Sequence, residues 1–367
     1  MGMSELASVA SASSHDTIDA TGLAAASPVV ERTPEGLENI IGFLHCPIDG
    51  ASLRLEATDG SLTDGRGHRY RIERGIPCLS VPNEWEAAKR DVTDIVKAFY
   101  EKTPFPNYDG LDTRDSLRTK VRDSVFARLL DEQVPRGAAI LEVGCGTGQM
   151  TNFLGMGWGR TVIGADLCMN SLGLANGFRN RFSINNAHFV QMNLFRPAFR
   201  EASFDVVLSN GVLHHTSDCA GAFRSIARLV KPGGFIIVGL YNWLGRYPTL
   251  WRRWLIERFG TVGAMLDPRM RGKGETVRRE AWFMDKYRHP HETKHSINEV
   301  LGWFDAAGFD FMSSVPSIGD QEFSEDSRLF EPHSARRLLD RLSTEVEMLL
   351  SGGADGGLYI MIGRRRP

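Results

Sequence analysis

The chain lacks any run of about eighteen or more apolar residues, which excludes a membrane-spanning helix. Cysteine is scarce, five in 367 residues with no Cys-x-x-Cys pair. That excludes a disulfide framework and points to a reducing, cytoplasmic setting. Excess charge is missing too: a net charge of −2 is not that of a polycation built for nucleic acid. Residues 1–36 are poor in large apolar side chains and hold no Lys or Arg before Arg32. This composition predicts a disordered segment and argues against a signal peptide or an Arg-rich transit peptide. Leu6 stands where a myristoylation signal wants Ser or Thr.

At 42% hydrophobic and 24% charged residues, the length suits a soluble chain of about two domains. Its most informative stretch is Ile140-Leu141-Glu142-Val143-Gly144-Cys145-Gly146-Thr147-Gly148. An apolar run ending in a glycine-rich turn is how a buried parallel strand hands over to a helix, and glycines there let the backbone approach a ligand. The spacing is not the dinucleotide fingerprint G-x-G-x-x-G. Gly144, Gly146 and Gly148 alternate, and Gln149 stands where that pattern needs its last glycine. The carboxylate of Glu142 would repel a pyrophosphate at the turn and suit a ligand carrying positive charge.

The segment Leu141–Gly148 resembles the first motif of the class I, Rossmann-like S-adenosylmethionine-dependent methyltransferases, and other landmarks follow in that family's order. Thr161–Asp166 resembles the second strand; Asp166 lies 20 positions after Gly146, about where a nucleotide-binding βαβ unit carries its ribose-binding carboxylate. Phe204–Asn210 is similar to the fourth strand. Leu229-Val230-Lys231-Pro232-Gly233-Gly234 with Phe235–Val238 is similar to the turn and fifth strand. The resemblance implies an α/β domain over about 134–367, with a doubly wound, seven-stranded, mostly parallel sheet. It implies S-adenosylmethionine as cofactor, whose sulfonium and ammonium suit Glu142. The implied contacts in the glycine turn are Glu142, Gly144, Cys145, Gly146 and Gly148. Those after the next strands are Asp166, Leu167, Asn193, Leu194 and Asn210. Asn193 stands where many members place an Asp that receives the adenine amino group; its amide oxygen can accept that bond without charge assistance.

Residues 37–83 read as a small β-rich unit, with short strands around Phe43–Asp49, Ser52–Leu55 and Tyr70–Pro77. The unit resembles a zinc-ribbon-derived domain that activates, or is fused to, several methyltransferases. A ribbon wants Cys-x-x-Cys twice. Here Asp49 follows Cys46 at the second ligand position, and Asp64-Gly65-Arg66-Gly67 holds no cysteine. His45, His68 and Cys78 fit no standard ligand set, so a metal-less domain is expected. Residues 84–133 read as a helical linker or cap. It is interrupted at Thr103–Asp109, where two prolines alternating with aromatics cannot continue a helix. Tyr100, Phe105 and Tyr108 are candidates to cover the cofactor or acceptor, or else to pack the linker on the core.

A helical insert is expected at 241–295, after the fifth strand. An N-capped helix from Ser296 follows, then a strand at Phe309–Met312, a helix at about 334–350 and a final antiparallel strand at Gly357–Gly363. A hydroxyl or ammonium acceptor needs a base. His214 and His215 stand at the carboxyl end of the fourth strand, the edge where open α/β sheets bind ligands. His289 and His295 lie in the insert, and Tyr241 and Asp285 are further candidates; an acceptor already nucleophilic needs none. His291 and His295 would pair on a metal only through a helical turn that Pro290 makes poor, so no metal site is expected.

Between Arg246 and Arg288, eleven Lys or Arg face five Asp or Glu, with Trp243, Tyr247, Trp251, Trp254 and Phe259 interleaved. This reads either as a lid helix with solvated arginines or as a cap that offers positive charge to an anionic acceptor. Residues 243–259 could also rest on an anionic membrane surface as a peripheral contact. The expected function is methyl transfer to a small-molecule, sugar or lipid-linked, anionic acceptor. An RNA methyltransferase is the alternative. It is weakened by the missing ribbon cysteines and by Ser209-Asn210-Gly211-Val212 in place of an Asn-Pro-Pro-aromatic tetrapeptide. A non-catalytic cofactor-binding module is the third reading.

Overall fold

Five two-residue strands come first in the chain. β1 (Arg54–Leu55), β2 (Leu62–Thr63) and β3 (Arg69–Tyr70) form an antiparallel meander, and β4 (Ile72–Glu73) pairs with β5 (Ile76–Pro77). The computed structural model describes residues 36–85, 91–106, 108, 112–260, 283–318, 322–335, 337–351 and 356–367. The disorder expected for 1–36 and the middle of the insert at 261–282 lie outside the described residues, apart from Gly36. Arg32–Pro367 make up one unit, to which everything below refers.

Strands so short do not stand alone. Leu53, Leu62 and Tyr70 join a single core with Leu141, Val143 and Val190 of the main sheet. The small unit is also tied by backbone bonds, His45 N–H to Ala198 O and Leu79 N–H to Gln191 O, both at 2.9 Å. At its tip the donor atoms of Cys46, Asp49, Asp64 and His68 lie within 4.8 Å of one another. Cys46 and Asp49 stand at the ribbon's first ligand pair, and of His45, His68 and Cys78 only His68 joins them: His45 bonds to Ser52 and Cys78 to the Ile76 carbonyl. His68 Nδ1 is 2.5 Å from Asp64 Oδ2, whereas two ligands of one tetrahedral zinc stand about 3.3 Å apart. Tyr70 OH lies 3.1 Å from Cys46 Sγ, and Arg66 pairs with Asp49 at 3.3 Å. As arranged, Cys46 and Asp64 close on His68 by hydrogen bonds, and Cys46, Asp49, Asp64 and His68 together lie close enough to hold a metal ion.

Three helices follow: α1 (Thr93–Lys102), α2 (Arg114–Arg122) and α3 (Val125–Gln133). A Thr113–Ser116 capping box starts α2, satisfying two end donors reciprocally. The main sheet comprises β6 (Ala139–Val143), β7 (Thr161–Asp166), β8 (Ala187–Gln191), β9 (Phe204–Asn210), β10 (Val230–Tyr241), β11 (Phe309–Val315) and β12 (Leu358–Arg365). Its order is β11-β12-β10-β9-β6-β7-β8, and only β12 runs against its neighbours. This is the doubly wound, seven-stranded arrangement expected. β6 is buried at every position, as a strand covered on both faces must be. Its connecting helices are α4 (Gln149–Gly155), α5 (Met169–Arg181), α6 (Cys219–Ala227), α7 (Tyr247–Phe259), α8 (Ile297–Ala306) and α9 (Leu338–Leu350). From β6 the chain winds outward to β7 and β8, then returns to β9 and β10 on the other side. The order therefore reverses between β6 and β9, and a crevice opens at their carboxyl ends. Among the described residues no helix is long and apolar enough to cross a membrane.

Candidate active site

The glycine turn after β6 is shaped by contacts that no side chain would permit. Gly144 has φ 75° and Gly146 φ 52°, both left-handed. A Cβ on Gly144 would meet Val212 at 2.4 Å, and one on Gly146 would meet the Phe105 carbonyl oxygen at 2.3 Å. The proline–aromatic segment thus lies directly on the turn, and Thr147 Oγ1 donates to the Pro106 carbonyl. Beneath it, Asp166 at the end of β7 accepts from Gly146 N–H at 2.9 Å and from Cys168 N–H at 2.8 Å. Burial raises the Asp166 pKa against the pull of those amides. Glu142 is buried in the same wall, accepting from the Thr151 hydroxyl, and burial pushes it up to about 7.

These residues line a cavity of about 510 Å³, within the range of small-ligand sites. Glu142, Gly144, Cys145, Gly146, Asp166 and Leu167 all reach it, as do Asn193, Leu194 and Asn210. Gly148 does not; it sits behind the turn, where a Cβ would strike Phe189 and Ala175. Asn193 is also bonded within the protein. Its Oδ1 accepts from Phe195 N–H at 3.0 Å, and its amide donates to Val81 O and Asn83 Oδ1. It clamps the segment after the small unit, and its oxygen keeps a second lone pair.

A second polar group lines the same cavity: Tyr100, His215, Tyr241, Arg246, Asp285 and Lys286. Tyr100 OH donates to Asp285 Oδ1 at 2.7 Å. Burial pushes Asp285 up to about 6, against the pull of Tyr100 and the Arg246 charge. Arg246 is itself buried, stacked 3.6 Å above the Tyr241 ring and paired with Glu292 at 2.7 Å. Burial pushes the Tyr241 hydroxyl upward, which favours its protonated form.

Of the four histidines proposed as bases, the fold stacks His214, His215 and His289 together and sets His295 apart. His214 is fully buried between the rings of His215 and Tyr241, and neither of its nitrogens has a partner among the described residues. His289 stacks on His215 at 3.6 Å behind the cavity wall. His295 lies outside, bonded to Thr293 and Glu299. Only His215 lines the cavity. Its Nδ1 lies 2.9 Å from the His291 carbonyl, so that nitrogen carries the proton, and burial drives the ring to about 3. A base works best with a pKa near the operating pH, which favours Asp285 over either buried ring. Tyr108 also leaves the site: it stacks on Phe178 at 4.5 Å and bonds to Asn152. Arg246, Val92 and the α1 residues Thr93, Val96 and Lys97 were not legible as site residues, because each reaches the cavity only through long-range packing.

Residues 141–238 match the family described as "Methyltransferase domain". With the sheet order and the glycine turn above, this decides the assignment. Residues 141–238 are a class I, S-adenosylmethionine-dependent methyltransferase domain. A curated relative, an uncharacterized protein from Synechococcus, is 26% identical over 281 residues, covering 69% of this chain and 66% of that one. A demethylmenaquinone methyltransferase from Bacillus licheniformis is 30% identical over 146 residues, 39% of this chain and 60% of its own. The chain thus spans less than two thirds of these curated relatives. Among solved structures, magnesium protoporphyrin IX methyltransferase from Synechocystis is 14% identical with a TM-score of 0.42, over 74% of this chain and 99% of that one. The methyltransferase domain's own residues fit S-adenosylmethionine. Gly144 and Gly146 bring bare backbone to the cavity wall, and the buried Glu142 and Asp166 offer carboxylate oxygens to a cationic, hydroxyl-bearing ligand.

Proposed function

We propose that the protein methylates a hydroxyl of a small, largely apolar acceptor, with Asp285 as the base. The observation that carries this is the Tyr100–Asp285 pair inside the cavity that the glycine turn also lines. When bound, S-adenosylmethionine supplies a methyl carbon made electrophilic by its sulfonium. The chain's task is then to orient the acceptor, exclude water and receive one proton. Tyr100 fixes the Asp285 carboxyl by donating to Oδ1, and Asp285 takes the acceptor's proton. His215, neutral at any physiological pH, and Tyr241 wall the site without exchanging protons. Val92, Val96, Leu208 and Leu358 supply apolar surface for the acceptor body.

The basic insert suggested an anionic acceptor. Among the described residues, the insert arginine that reaches the cavity, Arg246, is paired with Glu292. A negative group on the acceptor would instead meet Lys97, which also lines the cavity. A cavity of about 510 Å³ suits a small molecule better than a base within an RNA strand. The name of another relative, ubiquinone biosynthesis O-methyltransferase from Paracidovorax citrulli, supports a quinol-like hydroxyl compound as the first acceptor to try. The test is transfer of tritiated methyl from S-adenosylmethionine to a panel of quinols, phenols, nucleotide sugars and tRNA. Label in a hydroxyl compound, lost in Asp285→Asn, supports the reading; label in tRNA alone would sink it.

A further inference from the structure

The tip of the small unit gathers a sulfur, a nitrogen and two carboxylate groups from two separate turns. Cys46-Pro47-Ile48-Asp49 supplies a thiol and a carboxylate, and Asp64-Gly65-Arg66-Gly67-His68 supplies a carboxylate and an imidazole. One donor atom of each lies within 4.8 Å of all the others. Cys46 Sγ and His68 Nδ1 are 3.7 Å apart, close to the about 3.6 Å that a thiolate and an imidazole span across one tetrahedral ion. His68 Nδ1 and Asp64 Oδ2 are nearer, at 2.5 Å, the spacing of a shared proton. Opening that contact by about 0.8 Å would let an ion replace the proton.

The surroundings hold these groups in place. Asp49 Oδ1 accepts from Ala51 N–H at 3.0 Å, and Asp64 Oδ1 accepts from Arg66 N–H at 2.7 Å and His68 N–H at 3.1 Å. The backbone of each turn therefore fixes its own carboxylate, as outer partners fix metal ligands. Tyr70 OH, 3.1 Å from Cys46 Sγ, can donate to a thiolate there. Cys46 is buried, Asp64 and His68 are half-buried and Asp49 is exposed, so the cluster has a closed floor and an open rim.

We propose that Cys46, Asp49, Asp64 and His68 form an exchangeable site for one divalent cation of the zinc or cobalt kind. A thiolate beside an imidazole selects such an ion over magnesium or calcium, which want oxygen ligands. Two carboxylates and a thiolate more than neutralise it, and Arg66, paired with Asp49 at 3.3 Å, offsets the excess. The ion is not what folds the unit, because Leu53, Leu62 and Tyr70 already belong to the main core. Binding must also break the Asp64–His68 hydrogen bond, which lowers affinity below that of a four-cysteine site. The ion therefore enters and leaves a folded chain. As it binds, the Cys46 S–H bond breaks, the sulfur lone pair forms the bond to the metal, and the proton passes to solvent. None of the four residues lines the cofactor cavity, so the site stands whatever the acceptor is.

The test is titration of the full, untagged chain with cobalt chloride after dialysis against a chelator and its removal. Thiolate-to-cobalt absorption should appear, saturate at one cobalt per chain and vanish when zinc chloride is added, whereas magnesium chloride should leave it. Calorimetry with zinc chloride in buffers of different ionisation heat should show proton release. Excess zinc should raise the Tm of the parent and not that of Cys46→Ser. Cys46→Ser should abolish the absorption band. Asp49→Asn should weaken cobalt uptake by at least about tenfold, the lower end of what even an outer partner contributes. Unchanged S-adenosylmethionine affinity would show that each variant is folded, and if Cys46→Ser does not fold, Asp49→Asn decides. Absence of the band, or uptake untouched by Asp49→Asn, would overturn the proposal. So would a band kept in Cys46→Ser, since one of the other four cysteines would then be the ligand.

Discussion

Tyr100 and Asp285, 185 residues apart in the chain, meet at 2.7 Å inside the cavity. The bond joins α1, before the sheet, to a helical turn at 283–288 in the insert after β10, so the acceptor site exists only once both have folded over the strand ends. Asp285→Asn keeps the shape and removes the base. Its kcat should fall by about a hundredfold to ten-thousandfold, with S-adenosylmethionine affinity kept. In the parent, kcat/KM should rise with pH through about 6 and then level, following Asp285. A profile that ignores this range would exclude Asp285 as the base.

Glu142 makes cofactor affinity depend on pH. Burial holds its carboxyl at about 7, while a cationic ligand favours the ionised form. Binding should therefore tighten as pH rises through 7 and release a proton below it, readable by calorimetry in buffers of different ionisation heat. Glu142→Gln should flatten the dependence. The sign for stability is opposite. A carboxyl raised on folding stabilises fully below its ordinary range, and that contribution fades as pH rises through the folded value. The ligand-free Tm should accordingly decline toward pH 7, and less so in Glu142→Gln.

Asp166→Ala removes the acceptor for Gly146 N–H and Cys168 N–H. Cofactor affinity should weaken by about 1.5–3 kcal/mol, the size of hydrogen bonds to a charged group. An unchanged dissociation constant would show that Asp166 only braces the turn.

Arg246→Met strands Glu292, which is 8% exposed, without its partner. Breaking a buried pair from one side costs about 3–5 kcal/mol. Chemical denaturation should show that loss, and the double variant with Glu292→Met should recover part of it. Equal loss in both would place the effect in packing over Tyr241 instead.

The small N-terminal unit is expected to need no metal to fold. Elemental analysis of the chelator-dialysed chain should find no stoichiometric zinc, and the chain should keep a cooperative Tm, which Asp64→Ala should lower because His68 loses its acceptor. One zinc per chain, lost together with folding, would reverse this reading.

The sheet and the cofactor wall were legible in the sequence because both are local. The run Leu141–Gly148 encodes a buried strand and its turn within eight residues, and Asp166 and Asn210 end strands whose apolar runs announce them. The acceptor side was not. His214, His289 and His295 carry the residue type that base chemistry favours, but burial, stacking and a neighbouring carboxylate set where they stand, and none of these has a sequence period. The aromatics of α7 were readable as one helix face; which way that face turns, and that α9 presents a second beside it, was decided by packing. The sequence by itself determined what each strand, turn and helix would be, since propensity and periodicity act over a few residues. Only the tertiary structure decided which side chains share a cavity, because Asp285, Tyr100 and Arg246 meet through contacts that no local rule contains.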